Sequence, residues 1–105
     1  IKIVVLEGVK LNKEIIKIKK TLNQSMDISI LEVEDQGHLH QGHKAAVEGK
    51  LHLKMIIVSD EFINLNPVER HQNIYSILAD FLAGRLHALS LETYTIKEYS
   101  NLREI

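Results

Sequence analysis

Residues 38 to 44 read HLHQGHK, which sets three imidazoles and a glycine close together in a chain that has no cysteine. Neutral imidazole is the commonest protein ligand for zinc, copper, nickel and iron, so His38, His40 and His43 raise metal ligation as a chemistry. Their spacing matches no known zinc box, and a solvated loop merely rich in histidine is the rival reading. His52, His71 and His87 complete the set of six. The absence of cysteine excludes disulfides, a thiolate nucleophile, CxxC redox chemistry and any cysteine-ligated zinc or iron–sulfur site built by this chain alone. Metal chemistry here must use histidine or borrow ligands from another molecule.

The elements that would position these residues follow from hydrophobic period. IKIVVLEG at the start is a short apolar run ended by Gly8, open as an extra edge strand or as a tail. From Leu11 the period becomes helical: Leu11, Ile15, Ile18 and Leu22 share one face, and Lys10, Lys13, Lys17 and Lys20 fall on another. That basic stripe reads as solvated surface, with a dock for an acidic partner as the rival. DISILEVED predicts a strand whose alternation slips between Ile30 and Leu31, which suggests a bulge there. Residues 35 to 50 have no period and carry Gly37, Gly42 and Gly49, a loop long enough to expect function of it.

KLHLKMIIVS resumes as a strand with Leu51, Leu53, Met55 and Ile57 on one face. NPVE is a helix start: Asn66 as N-cap, Pro67 where its missing N–H costs nothing, and Glu69 completing a capping box. This helix is expected to run to about Ala83, with an inward stripe of His71, Ile74, Leu78 and Phe81 or Leu82, and with Gly84 in a left-handed closing conformation. HALSLETY predicts a third strand, and TIKE a capping box that opens a short final helix through Tyr99 and Leu102. The order is helix, strand, strand, helix, strand, helix: a small α/β two-layer structure with helices on one face of a three-stranded sheet. Residues 1–9 form an N-terminal extension and 10–105 one domain.

Topology then gathers the histidines. The second strand, a helix and the third strand make a crossover unit, and such units are right-handed with parallel strands in nearly all cases. Both strands therefore start at one end of the sheet, and the long loop from the antiparallel first strand hangs over that end. His52 and His87, at the two strand starts, are expected near His38, His40 and His43. His71, on a buried helix stripe, reads as a structural residue whose polar atoms are satisfied locally. His87 stands on a rigid element, as a site residue should.

Composition narrows the function classes. Thirteen Lys and Arg against fourteen Asp and Glu give a net charge of -1, not the basic balance that phosphate neutralisation needs. Hydrophobic residues make up 45% of the chain, enough for a core, and no apolar run is long enough to span a bilayer. No nucleophile–base pair, phosphate loop or paired carboxylates stand in a convincing context, so an enzyme is not expected. The chain opens on Ile1, which leaves an upstream targeting segment open; the expected location is cytoplasmic, or mitochondrial where such a segment precedes it.

ILEVEDQGHLHQGHK, followed by KLHLKMIIVSDEFINLNPVERHQNIYSILADFLAGRLHALSLETYTIKE, resembles the BolA family over roughly residues 12 to 99. The combination of strand-SD, VERH and HALSL in this order carries the resemblance. It implies a class II KH-like αββαβ fold with a three-stranded mixed sheet. It also implies a non-enzymatic partner of monothiol, CGFS-type glutaredoxins, with a two-iron, two-sulfur cluster bridged between the proteins. The glutaredoxin cysteine and a glutathione thiol would hold one side of the cluster. The other would come from a His at the start of the last strand, here His87, and a loop ligand, which maps to His43, with His38 and His40 as substitutes. Imidazole in place of thiolate removes negative charge from such a cluster and raises its potential, as in Rieske centres. Iron–sulfur cluster assembly or transfer, or iron regulation, is the implied role.

The family is also linked to DNA binding and transcription. The chain has no GxxG loop of the RNA-binding KH type and only 5% aromatic residues to stack on bases. Arg70, Arg85 and Lys97 are the candidates for phosphate contact, and Gln72 stands where relatives often carry a further basic residue. A zinc site of His38, His40 and His43 is the remaining alternative.

Overall fold

The computed structural model describes residues 13–36 and 50–103. The expectations for the N-terminal extension and for His38, His40 and His43 fall outside the described residues. Helix α1 spans Lys13–Ser25, strand β1 Ile30–Asp35 and strand β2 Leu51–Val58. A 3-10 turn at Asp60–Phe62 leads to helix α2, Pro67–Ile77, a short helix α3, Ala79–Leu82, strand β3, Leu86–Tyr94, and helix α4, Ile96–Arg103. The sheet has the order β1-β2-β3, with β1 antiparallel and β3 parallel to the central β2. This is the mixed sheet and crossover expected from the sequence. Among these residues no helix is long and apolar enough to cross a membrane.

The period-two pattern of β2 explains the core. Leu51, Leu53, Met55 and Ile57 are buried on one face, where Ile18 and Leu22 of α1, Phe62, and Ile74 and Leu78 of the crossover meet them. Each such side chain taken from water contributes roughly 1.5–3 kcal/mol before chain entropy is charged against it. Along α1, Lys13, Lys17 and Lys20 lie on the exposed side, as the amphipathic pattern predicts.

The opposite sheet face is built from the alternate residues. In register across it stand Ile30, Val58 and Tyr94, then Glu32, Ile56 and Glu92, then Glu34, Lys54 and Ser90. Helix α4 reaches this second face: the Tyr99 ring lies 5.7 Å from that of Tyr94, and the Tyr99 hydroxyl is 3.4 Å from Glu32 Oε2. Val58, alone of the outward residues of β2, is thereby fully buried. The helices α1 and α2 cover one face, and the expectation of helices on one face only is corrected for the short C-terminal helix, whose Tyr99 packs on the end of the other.

Three local expectations are corrected. The bulge expected at Ile30–Leu31 is absent, since β1 pairs with β2 without a shift from Ile30 to Asp35. The break in alternation there reflects a second apolar patch, Ile30 beside Val58 and Tyr99, and not an extra residue. The helix expected to run unbroken to Ala83 ends at Ile77, and Leu78 leaves the helical region at φ -97 and ψ 15 with its side chain fully buried in the core. Gly84 does not take a left-handed conformation; the turn closes with its N–H donating to the Phe81 carbonyl at 3.0 Å.

The 3-10 turn was not expected. Ser59, fully buried, accepts from the Glu61 N–H at 3.1 Å and donates to the Asp27 carbonyl at 2.6 Å, while Glu61 in turn accepts from the Asp27 N–H. This polar knot ties the end of α1 to the end of β2 at the pole away from His52 and His87.

Candidate metal centre

The strand starts meet at one rim. The Leu51 N–H donates to the Arg85 carbonyl at 2.8 Å, locking the start of β2 to the residue before β3. On the other side of β2 the Gln36 N–H donates to the His52 carbonyl at 2.7 Å. The chain therefore leaves β1 and re-enters β2 at this same rim, on both sides of residues 37–49.

A bulge shapes the rim. Leu51 pairs with Leu86 and His52 with Ala88, so β3 carries one extra residue, His87. The consequence can be read in burial: Leu86 and Leu89 both serve the core, and His87 and Ala88 between them are exposed. Bulges of this kind re-aim a side chain, and this one brings the exposed His87 ring against the half-buried His52 ring, centroids 5.3 Å apart and planes tilted by 53°. The convergence of His52 and His87 deduced from topology is present. His71 is half-buried on α2, away from these strand starts. Among the described residues no group of three His, Cys, Asp or Glu could hold a metal by itself. Two imidazoles are what the described rim offers.

The three arginine and lysine candidates do not converge. Arg70 is 7% exposed. Its Nε donates to the Leu65 carbonyl at 2.9 Å, its Nη1 and Nη2 bind Glu98 at 2.6 and 3.3 Å, and its guanidinium lies 5.6 Å from the Phe62 ring centre. As a surface phosphate contact it is corrected: the side chain is committed to joining α2, β3 and α4. Glu98 completes the capping box expected in TIKE on Thr95 and also presents its carboxylate to Arg70, a contact that TIKE alone did not reveal. These bonds, that of Arg70 foremost, hold the Glu98 carboxyl below the usual carboxylate range. Arg85 and Lys97 are exposed at opposite ends of the nine-residue β3.

Nearer the middle of the outer face, Glu92 accepts from the Tyr94 hydroxyl at 2.7 Å and pairs with Lys54 at 3.3 Å. The Tyr94 bond lowers the Glu92 pKa, and the same bond raises that of Tyr94. A fixed polar row thus stands beside the histidine rim.

An αββαβ domain with a mixed three-stranded sheet and a crossover helix defines a KH-like class of small α+β protein, and this one carries two imidazoles at one rim of its sheet. The chain belongs to the BolA family: the family model described as "BolA-like protein" matches residues 22–98. It is 36% identical over 88 residues to the "DNA-binding transcriptional regulator BolA" of Escherichia coli, covering 84% of this chain and 81% of that one. It is 39% identical over 87 residues to "SufE-like protein 1, chloroplastic/mitochondrial" of Arabidopsis thaliana, covering 78% of this chain and 24% of that longer protein. Among solved structures, the "BolA domain of SufE1 from Arabidopsis thaliana" matches with a TM-score of 0.74 at 37% identity, over 85% of this chain and 99% of that one.

Proposed function

We propose that this protein is a non-enzymatic partner of a monothiol, CGFS-type glutaredoxin and co-ligates a bridging two-iron, two-sulfur cluster, which it takes or hands on as cargo. His87 supplies one nitrogen donor and His43 the second, with His38 and His40 as substitutes for it. The partner's cysteine and a glutathione thiol hold the other side. The observation that carries the reading is the exposed His87 ring on its bulge, at the rim where both ends of segment 37–49 are anchored. The donor set fits: a shared cluster asks only two ligands of each side, and a cysteine-free chain can give imidazole. When bound, the cluster supplies iron–sulfur transfer chemistry. Because imidazole binds metal only when neutral, the shared cluster is expected to be released on mild acidification. Cytoplasm or mitochondrion is the proposed setting, the latter in keeping with the name of the Arabidopsis relative.

The test mixes the protein with a CGFS glutaredoxin, glutathione, iron and sulfide, and records visible absorption and circular dichroism. Spectra that change on adding the wild type, and change less with His87→Ala and His43→Ala, support the reading. Spectra indifferent to this protein refute it. Changes that ignore both substitutions refute the ligand assignment alone.

A second reading, a nucleic-acid-binding transcriptional regulator, is favoured by the name of the E. coli relative. With Arg70 committed inside the fold, Arg85 and Lys97 remain as its phosphate contacts. It predicts retention on DNA with a steep salt dependence that flattens when these two are replaced.

A further inference from the structure

We propose that His52 and His87 form a mononuclear site of their own for a borderline divalent ion of the zinc or cobalt class, chelated between the starts of two neighbouring strands. The geometry points to it directly. With metal–nitrogen bonds of about 2.0–2.1 Å and each ring centre about 1.2 Å behind its nitrogen, two imidazoles on one tetrahedral ion have centroids about 5.2 Å apart, against about 4.5 Å for a right-angled pair. The rings of His52 and His87 stand at 5.3 Å. Their 53° tilt is not that of a face-to-face stack, whose parallel rings could not share one ion.

The rim is built to hold this spacing. Both donors stand on strands, the backbone bonds from Leu51 to Arg85 and from Gln36 to His52 tie those strands down, and the bulge turns His87 toward His52. Donors fixed in advance on rigid elements lose little entropy on binding an ion. Two neutral nitrogens with no carboxylate in the pair select zinc, cobalt or nickel over magnesium and calcium, which take oxygen ligands. Water fills the remaining positions. The site does not rest on the shared-cluster reading, since it needs neither glutaredoxin nor sulfide and gives His52 a donor role. Both use His87, so ion and cluster exclude one another.

The test titrates the untagged full chain, alone, with Co2+, reading the visible bands of four-coordinate Co(II), and then displaces it with Zn2+. One Co2+ per chain is expected, with Kd raised about tenfold or more by His87→Ala and by His52→Ala. His52→Asn, which keeps that half-buried position polar, is to behave like His52→Ala, and far-ultraviolet circular dichroism checks that each variant is folded. His71→Ala is expected to bind within about threefold of the wild type. No stoichiometric band in the wild type, or full binding by a folded strand variant, would each overturn the proposal.

Discussion

Replacing Arg70 by methionine tests whether its guanidinium serves the fold or a ligand. The substitution keeps an unbranched stem against Phe62 but removes the charged donor to the Leu65 carbonyl, worth about 2 kcal/mol, since hydrogen bonds from charged groups contribute roughly 1.5–3 kcal/mol. The ion pair with Glu98 adds less than its short bonds suggest. The Glu98 side chain is 47% exposed and regains water when its partner is gone, so the pair is worth at most about 1 kcal/mol. With about 0.5 kcal/mol from the ring contact, the expected loss is about 3 kcal/mol. For a domain of this size urea slopes are about 1.5 kcal/mol/M, so the unfolding midpoint falls by about 2 M. Urea titration by circular dichroism at neutral pH measures it, and a double-mutant cycle with Glu98→Gln isolates a coupling of about 1 kcal/mol. A midpoint within about 0.3 M of the wild type would refute the buried-anchor reasoning. Weakened DNA retention at unchanged stability would return Arg70 to the phosphate contacts.

Three further outcomes are expected. The Glu98 carboxyl is lowered from its ordinary 4.5, mainly by Arg70, so its contribution is fully present above about that pH and is lost as pH falls through the lower folded value; thermal midpoints from pH 7 to 3 should fall less steeply for Glu98→Gln than for the wild type, and parallel curves would count against the linkage. Met55→Ala, at the fully buried centre of β2, should cost about 2–5 kcal/mol, read by the same urea titration; a loss under 1 kcal/mol would mean the core collapses around the cavity. His87→Ala, on an exposed bulge, should alter stability by no more than about 0.5 kcal/mol, so that its effect on metal binding can be read without a folding correction; a larger change would make the ring contact with His52 a structural element.

Most of the architecture was legible in the chain because its signals are local or nearly so. The alternation of Leu51, Leu53, Met55 and Ile57, the capping box of Asn66 and Glu69, and that of Thr95 and Glu98 depend on residues a few positions apart, and each is present as written. Crossover handedness then sufficed to bring the starts of β2 and β3 together, and with them His52 and His87. What the sequence left unsettled were matters in which distant residues compete for one space. A basic residue in the second turn of α2 is, by type, a surface cation; only packing against Phe62 and the arrival of α4 made Arg70 an internal anchor. The slip at Ile30 looked like a bulge until Tyr99 supplied a second apolar surface for it to face. The true bulge at His87 left no mark in its own strand, because it is a mismatch of register between two strands, and register is fixed only when both have packed their apolar sides against the same helices. Residue order alone thus determined most of the elements and which end of the sheet carries His52 and His87. Three-dimensional packing decided which way those imidazoles turn and which charges remain at the surface, since both depend on partners the chain brings from far away.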